Sequence, residues 1–384
     1  MIYLFLNSPS LGGAERSAIL QAASAFHSQN LVFCLPRIGH HKNESIEKFI
    51  MEQIPVPQIK YFDFDQNLYS VSRSGKFLLI FKVLSLLKNI FSMRSFLKKI
   101  NLSKDDSCWM NGNKIAILLF FTSLIYQIES KMIWHFRDYP ENSIFFKLVK
   151  VLFFRNVREN FLALANSQSV EQTLKMFFPT GTKTAYVYNP SGEFKFIPNR
   201  KFQNIGLASM LAPWKGQHDV LLSVAIFKDD LKNLGIKKIL IFGDQIYLTS
   251  GAHDHYKEDL IRLIDRLDLN DFVELKGNQN PRDIMNQIDI LIHSSLRPEP
   301  FGRILVEAMS SGVAICSTGL GGASEIVGDD ERGWTYFPNH PRSLFNAIRE
   351  IVKTDQREQK ILCAREWVSH CNDEIPIKLK CLFT

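Results

Sequence analysis

Glu299 and Glu307 stand eight residues apart, with Pro300-Phe301-Gly302 between them and Gly321-Gly322 and Glu325 downstream. A carboxylate can accept hydrogen bonds from two vicinal hydroxyls, as on a ribose. Pro300 suits the first turn of a helix, and Gly302 lets backbone approach a ligand. The start of that helix offers free N–H groups and a positive dipole end to an anion or a polar sugar. The arrangement can hold a sugar nucleotide. Two glutamates at this spacing alone would read as an exposed loop residue and a solvated helix residue. The Pro-Phe-Gly between them and the later Gly-Gly-x-x-Glu favour binding.

Four smaller constellations accompany it. Lys215 precedes Gly216 in Leu211-Ala212-Pro213-Trp214-Lys215-Gly216, which by itself is a surface turn. Gly12-Gly13 allows a tight turn and close backbone approach at a helix start, with Glu15 in the first helical turn. Trp134-His135-Phe136-Arg137-Asp138 ends a strand-like run; its plain reading is a core histidine beside a surface Arg–Asp pair. Asp63-Phe64-Asp65 spells a D-x-D between Pro57 and Gly75 and is expected to be a solvated loop.

The elements that must position these residues alternate. Strand-like runs at Ile2–Leu6, Leu31–Leu35, Met132–His135 and Leu162–Ala165, and a helix over about 14–26, make up the first half. Tyr186 to Gly192 combines a strand end with turn residues and is expected to link two domains. The second half repeats the pattern. Strands are expected at Ile205–Ser209, Lys238–Phe242, Phe272–Leu275, Asp289–His293 and Val313–Ser317. Helices are expected over about 217–228 and 254–267, at Arg303–Ser311, from near Ala323 and at Leu344–Val352. Alternation of this kind predicts an α/β fold of two Rossmann-like, doubly wound domains facing a central cleft. The expected boundaries are 1–190, 191–365 and a tail, 366–384, packing back on the first domain.

Composition is that of a globular chain: 384 residues, 46% hydrophobic and 22% charged. Residues 1–190 carry 22 Lys and Arg against 13 Asp and Glu, a net of +9; residues 191–384 carry 24 against 26, a net of −2. The basic half suits an anionic membrane surface or an anionic acceptor. It lacks a nucleic-acid motif, so no nucleic-acid partner is expected. Phe145 to Val157 projects as a helix with Lys147, Lys150, Arg155 and Arg158 on one side, whose commoner reading is a core-facing helix with a solvated basic face. Lys76 to Ile100 has charges all around its wheel and reads as two helices or a partly buried segment. The longest apolar stretch, Ile115–Ile128, is shorter than the roughly 20 residues of a spanning helix. Six cysteines without a C-x-x-C, and no basic leader, point to reduced thiols in the cytoplasm, with association at the inner face of the cytoplasmic membrane as a further expectation.

Ser295 to Ile326 resembles the donor-binding signature of family 4 of the GT-B retaining glycosyltransferases, and the likeness covers almost the whole chain. The resemblance implies transfer of a sugar, with retention, from a nucleotide-sugar donor (UDP-sugar foremost) to a glycan or polyprenyl-linked glycan acceptor, as in bacterial surface polysaccharide synthesis. It implies that Glu299 contacts the transferred sugar and Glu307 the ribose, with backbone at Pro300, Phe301, Gly302, Gly321 and Gly322 near sugar and phosphates. Lys215 would neutralise the leaving diphosphate, Gly13 would face the ligand, His135 would line the reaction centre, and Arg137 would contact acceptor or phosphate. No metal or cofactor is implied. One position departs: Met210 stands where the family places an arginine, and Arg297 or Arg303 is the expected substitute. Asn166-Ser167 and Asn189 resemble bordering segments, but read equally as a helix cap and a linker turn. The departure keeps open a non-catalytic partner subunit; a sugar-nucleotide-processing enzyme on the same fold is the other alternative.

Overall fold

The structure, a computed structural model, describes residues 1–37, 44–65, 76–140, 160–245 and 255–383, with backbone alone for 76–83. The basic helix expected at Phe145–Val157 lies outside the described residues. The chain divides into two compact units, Met1–Pro190 with Asp373–Thr384, and Ser191–Asn372. The tail that clusters with the first unit thus starts at Asp373, against the expected 366.

Among its described residues, the first unit is built on a sheet of seven strands: β1 Ile2–Phe5, β2 Leu31–Arg37, β3 Gln58–Asp63, β4 Ser107–Asn111, β5 Lys131–Phe136, β6 Phe161–Ala165 and β7 Lys183–Tyr186. Their spatial order is β3-β2-β1-β4-β5-β6-β7, every pairing parallel. Parallel strands need crossovers, and helices α1 Gly13–Ala25, α2 Glu44–Gln53, α3 Lys76–Ile100, α4 Asn113–Ser123 and α5 Gln168–Phe177 supply them. Alternate residues of the strands feed two cores. Tyr3, Phe5, Cys108, Met110 and Trp134 lie on one face; Leu4, Leu6, Trp109 and Ile133 lie on the other.

The second unit repeats the plan with β8 Asn204–Ala208, β9 Lys238–Phe242, β10 Val273–Gly277, β11 Ile290–His293, β12 Ala314–Ser317 and β13 Trp334–Thr335, again all parallel, in the order β10-β9-β8-β11-β12-β13. Its helices are α6 Gln217–Ile226, α7 Lys228–Asn233, α8 Tyr256–Arg266, α9 Pro281–Gln287, α10 Arg303–Ser310, α11 Gly322–Val327 and α12 Pro341–Lys353. The last helix, α13 Arg357–Phe383, brings Ile375 and Leu379 into the core of the first unit.

Lys76–Ile100 is one continuous, partly buried helix, the second of its two expected readings. Two expectations change. Asp63 ends an edge strand, not a loop; it lies 3.8 Å from Arg37, and Asp65 lies 3.8 Å from Lys88. Pro300 sits before its helix, because α10 starts at Arg303 after Gly302. No helix among the described residues is long and apolar enough to cross a membrane.

Candidate functional site

In an open parallel sheet the ligand crevice lies at the carboxyl ends of the strands where their order reverses. In the second unit that point falls between β8 and β11, and the loops leaving these strands carry Lys215 and Glu299. The loops are fastened together. Leu296 N–H donates to the Trp214 carbonyl (2.8 Å), and Ser294 Oγ donates to the Lys215 carbonyl (2.7 Å). Gly216 has φ of +70°, and a Cβ there would stand 2.2 Å from the Ser294 carbonyl oxygen, so only glycine lets the loops approach this closely.

Lys215 and Glu299 meet in this crevice. Lys215 Nζ lies 2.6 Å from Glu299 Oε2, 3.5 Å from Ser295 Oγ and 4.2 Å from the centre of the Trp214 ring. Ser295 Oγ donates to the same carboxylate oxygen at 2.7 Å, and His293 Nε2 lies 3.5 Å from it. His293 Nδ1 in turn meets Ser317 Oγ at 3.1 Å. Burial alone would raise the Glu299 carboxyl, but His293 and Lys215 more than offset this and hold it well below the ordinary carboxylate range. Glu299 is therefore a fixed anion with a charged ammonium on it.

The downstream motifs are joined to the same loop by backbone. Glu299 N–H donates to the Leu320 carbonyl (3.1 Å), and Gly322 N–H to the Glu299 carbonyl (2.7 Å), an isolated parallel bridge. A Cβ on Gly322 would fall 2.3 Å from the Pro300 carbonyl oxygen. Gly302 caps α10 at φ +95°, and Phe301 anchors the loop in the core. Glu307 is buried on α10, where Arg303 NH2 donates to its Oε1 at 2.6 Å. Arg303 is thus engaged by Glu307, Arg297 is exposed on the loop, and the Met210 carbonyl accepts from Gln217 Nε2 (2.9 Å). The Glu325 carbonyl accepts from Arg332 NH2.

The structure brings together Lys215, Glu299, Pro300, Phe301, Gly302, Gly321 and Gly322, with Glu307 on the adjoining helix. It also adds His293, Ser295 and Ser317, which sequence reasoning missed. Their signal was weak: polar residues at the carboxyl ends of β11 and β12, where an apolar strand stops.

The expected residues of the first unit make contacts of their own. His135 is fully buried. Trp109 Nε1–H donates to its Nδ1 at 3.1 Å, and the two rings stack at 5.9 Å. This bond places the imidazole proton on Nε2, which has no hydrogen-bond partner among the described residues. Burial, then Arg137, holds the ring well below its ordinary pKa and keeps it neutral. Arg137 is buried too; its three guanidinium nitrogens donate to the side-chain oxygens of Asn111 (2.7 Å), Asn189 (2.6 Å) and Gln21 (3.0 Å). It binds β4, α1 and the segment after β7 to β5. Gly13 opens α1 with Glu15 buried in its first turn. Ser167 caps α5 by accepting from Val170 N–H, and Asn166 Nδ2 donates to the Arg137 carbonyl.

Two parallel doubly wound units with such a crevice define a GT-B architecture. Residues 194–364 match the family model for glycosyl transferases group 1, so the second unit is a group 1 glycosyl transferase domain on a GT-B fold. Among curated proteins, the chain is 26% identical over 205 residues to N-acetylgalactosamine-N,N'-diacetylbacillosaminyl-diphospho-undecaprenol 4-alpha-N-acetylgalactosaminyltransferase of Campylobacter jejuni, covering 51% of this chain and 52% of that protein. It is 25% identical over 167 residues to an uncharacterized glycosyltransferase of Methanocaldococcus jannaschii, covering 43% and 40%. The chain thus spans about half the length of the curated relatives it matches. Among solved structures, Anabaena HepE in complex with UDP and glucose superposes with a TM-score of 0.74 at 20% identity, over 99% of this chain and 98% of that one. S. aureus TarM, in a complex that includes UDP, gives 0.73 at 12% identity, over 100% and 99%.

Proposed function

We propose that this chain is a retaining glycosyltransferase that moves a sugar from a UDP-sugar to a lipid-linked glycan acceptor. The observation that carries the reading is the Lys215–Glu299 pair, held at the switch point of a group 1 domain beside the N-terminus of α10. The UDP complexes of HepE and TarM support the choice of nucleotide, and the diphospho-undecaprenol-linked substrate named for the Campylobacter relative supports the acceptor class.

Lys215 would share its charge between Glu299 and the donor's diphosphate, where negative charge grows as the glycosidic bond breaks. Glu299 would accept from the sugar's hydroxyls and Glu307 from the ribose. No metal is called for in this scheme. The leaving phosphate would take the acceptor's proton while the acceptor attacks the face it departs from, so the anomeric configuration is kept.

The test is binding and slow hydrolysis of a nucleotide-sugar panel, with Glu307→Ala and Lys215→Ala beside the parent. One donor should bind and turn over, both substitutions should weaken it, and EDTA should change neither. Proton NMR of the product's anomeric signal reads retention. Failure of every donor to bind overturns the reading. Donor binding without turnover, even with lipid-linked acceptor supplied, favours a non-catalytic partner subunit, which the half-buried Met210 in the cationic slot keeps in view.

A further inference from the structure

The segment that opens the second unit lies along α9 and the end of α10, and together they enclose a cavity of about 420 Å³. The segment is fastened there. The Glu193 carbonyl accepts from Arg282 Nε (3.1 Å), Ile197 N–H donates to the Ser311 carbonyl (3.1 Å), and Arg200 NH2 donates to the same carbonyl (2.9 Å). Gly312 has φ of +75°, and a Cβ there would stand 2.7 Å from the Phe196 ring, so the segment packs this closely only on glycine. Phe194 and the buried Met285 give the cavity an apolar wall, and Glu193, Lys195, Arg282 and Asn286 give it a polar rim.

This cavity is not the donor crevice. Helix α9 leads into β11 and Ser311 leads into β12, so the cavity lies at the amino ends of these strands, whereas Lys215 and Glu299 stand at carboxyl ends. The four residues of β11 between them span about 13 Å at 3.3 Å each. Small-molecule sites have volumes of about 300–1,000 Å³, with apolar walls and a few convergent polar groups. Charge and donors select the occupant. Among the described residues, the Lys195 ammonium, both terminal nitrogens of Arg282 and the Asn286 amide have no hydrogen-bond or ion-pair partner. Two cations thus face a single acid, Glu193, on the rim. A free guanidinium fork matches two oxygens of a phosphate, and a phosphate monoester brings about two negative charges to these two cations.

We propose that this cavity is a second ligand site, for a small phosphate monoester with an apolar body. The phosphate lies between Lys195 and Arg282, with Asn286 donating to it, and the body rests on Phe194 and Met285. Helix α10 joins the site to the crevice: Gly302 caps its start, and at its end Ser311 Oγ donates to the Glu307 carbonyl (2.9 Å). A ligand against Ser311 is one helix of 8 residues, about 12 Å, from the start of α10. The proposal goes beyond the transferase reading, because neither Lys215 nor Glu299 lines the cavity.

The test is a ligand-observed NMR titration of the full chain with phenyl phosphate as the probe. It should bind in the millimolar range, as suits a ligand of about a dozen atoms. Inorganic phosphate, which lacks the apolar body, and benzyl alcohol, which lacks the charge, should each bind about tenfold more weakly. Lys195→Gln with Arg282→Gln should weaken phenyl phosphate about tenfold or more, and Glu193→Gln, which removes the like charge, should tighten it about two- to threefold. Arg282 also holds the Glu193 carbonyl, so Lys195→Gln alone, at an exposed residue, should still weaken binding about threefold with an unchanged melting temperature. Lys215→Met, in the donor crevice, should leave the affinity as it is. Absence of binding, or binding that Lys195→Gln and the double variant both retain, overturns the proposal. So does binding that Lys215→Met abolishes, which would put the probe in the crevice, and so does equal affinity for inorganic phosphate, which surface charge alone would explain. None of these readings needs a donor, an acceptor or turnover, so a failure here leaves the transferase reading standing, and the reverse.

Discussion

Replacing Lys215 by methionine would test whether its ion pair organises the donor crevice. At 2.6 Å and an effective dielectric constant of about 20, the attraction to Glu299 is about 6 kcal/mol before desolvation. Removing one partner of a fully buried pair costs about 3–5 kcal/mol. Here the side chains keep 10% and 14% exposure, and Ser295 and His293 stay on the orphaned oxygen. Lys215→Met should therefore cost the second unit about 2 kcal/mol, measured by urea denaturation. Glu299→Gln should cost about 1 kcal/mol, and the double variant should lose little more than Lys215→Met alone, a coupling of about 1 kcal/mol. A carboxyl lowered in the folded state contributes stability above its unfolded pKa of about 4.3 and loses it as pH falls through the folded value. The Glu299 carboxyl is held well below 4.5 by His293 and Lys215 against its burial, so the coupling should be flat from pH 8 to 6 and fade only in strong acid. A coupling under about 0.3 kcal/mol, or a decline already between pH 8 and 6, would refute the argument. Turnover carries the functional half: Lys215→Met should lower kcat about 10²–10³-fold, with partial recovery in Lys215→Arg.

Other consequences are as direct. Met210→Arg should return a cation to the crevice and tighten UDP binding about three- to tenfold by calorimetry; unchanged affinity would show that the slot is not near the phosphates. Gly216→Ala combines a left-handed backbone with a Cβ 2.2 Å from the Ser294 carbonyl oxygen and should cost about 3 kcal/mol, while Gly235→Ala, at φ +93° with nothing within 4 Å, should cost only about 1 kcal/mol in the same urea titration. His293→Ala removes a partner of Glu299 and should lower kcat about tenfold with little change in UDP affinity; an unchanged kcat would mean Ser295 and Lys215 hold the carboxylate unaided. His135, neutral when folded, should make the first unit less stable as pH falls below about 6.5, because the unfolded chain then binds a proton that the folded one refuses, at about 1.4 kcal/mol per pH unit. His135→Gln should remove that slope.

What the sequence disclosed was backbone necessity. Gly216, Gly302 and Gly322 each stand where a side chain would strike a neighbouring loop or where φ is positive, so their spacing announces the crevice before any fold is known. Glu299 and Glu307, which lie among them, read as ligands because the glycines mark the loop-to-helix junction, whereas Lys215 read as one only through the family resemblance. His293, Ser295 and Ser317 stayed hidden because the bonds joining them cross between β11, its loop and β12, and a strand-end serine looks the same whether it binds a carboxylate or water. The packing of Arg137 stayed hidden for a related reason. An arginine at a strand's carboxyl end suggests a substrate anion until Asn111, Asn189 and Gln21, up to 116 residues away, occupy its donors. The same long-range logic inverts α3. A helical wheel assigns polar residues outward, but the two bonds from Asn89 to the backbone of Asp65 turn that face inward, and Leu84, Leu87 and Phe91 must then face out. An apolar stripe produced by a polar anchor is thus invisible to periodicity, and replacing that anchor is informative. Asn89→Leu should leave a helix whose wheel is ambiguous, and the melting temperature of the first unit should fall, since two backbone groups at the end of β3 lose their partners. If Asn89→Leu instead melts like the parent, packing under Ile90, Met93 and Leu97 fixes the helix by itself, and the outward stripe needs no polar anchor to explain it.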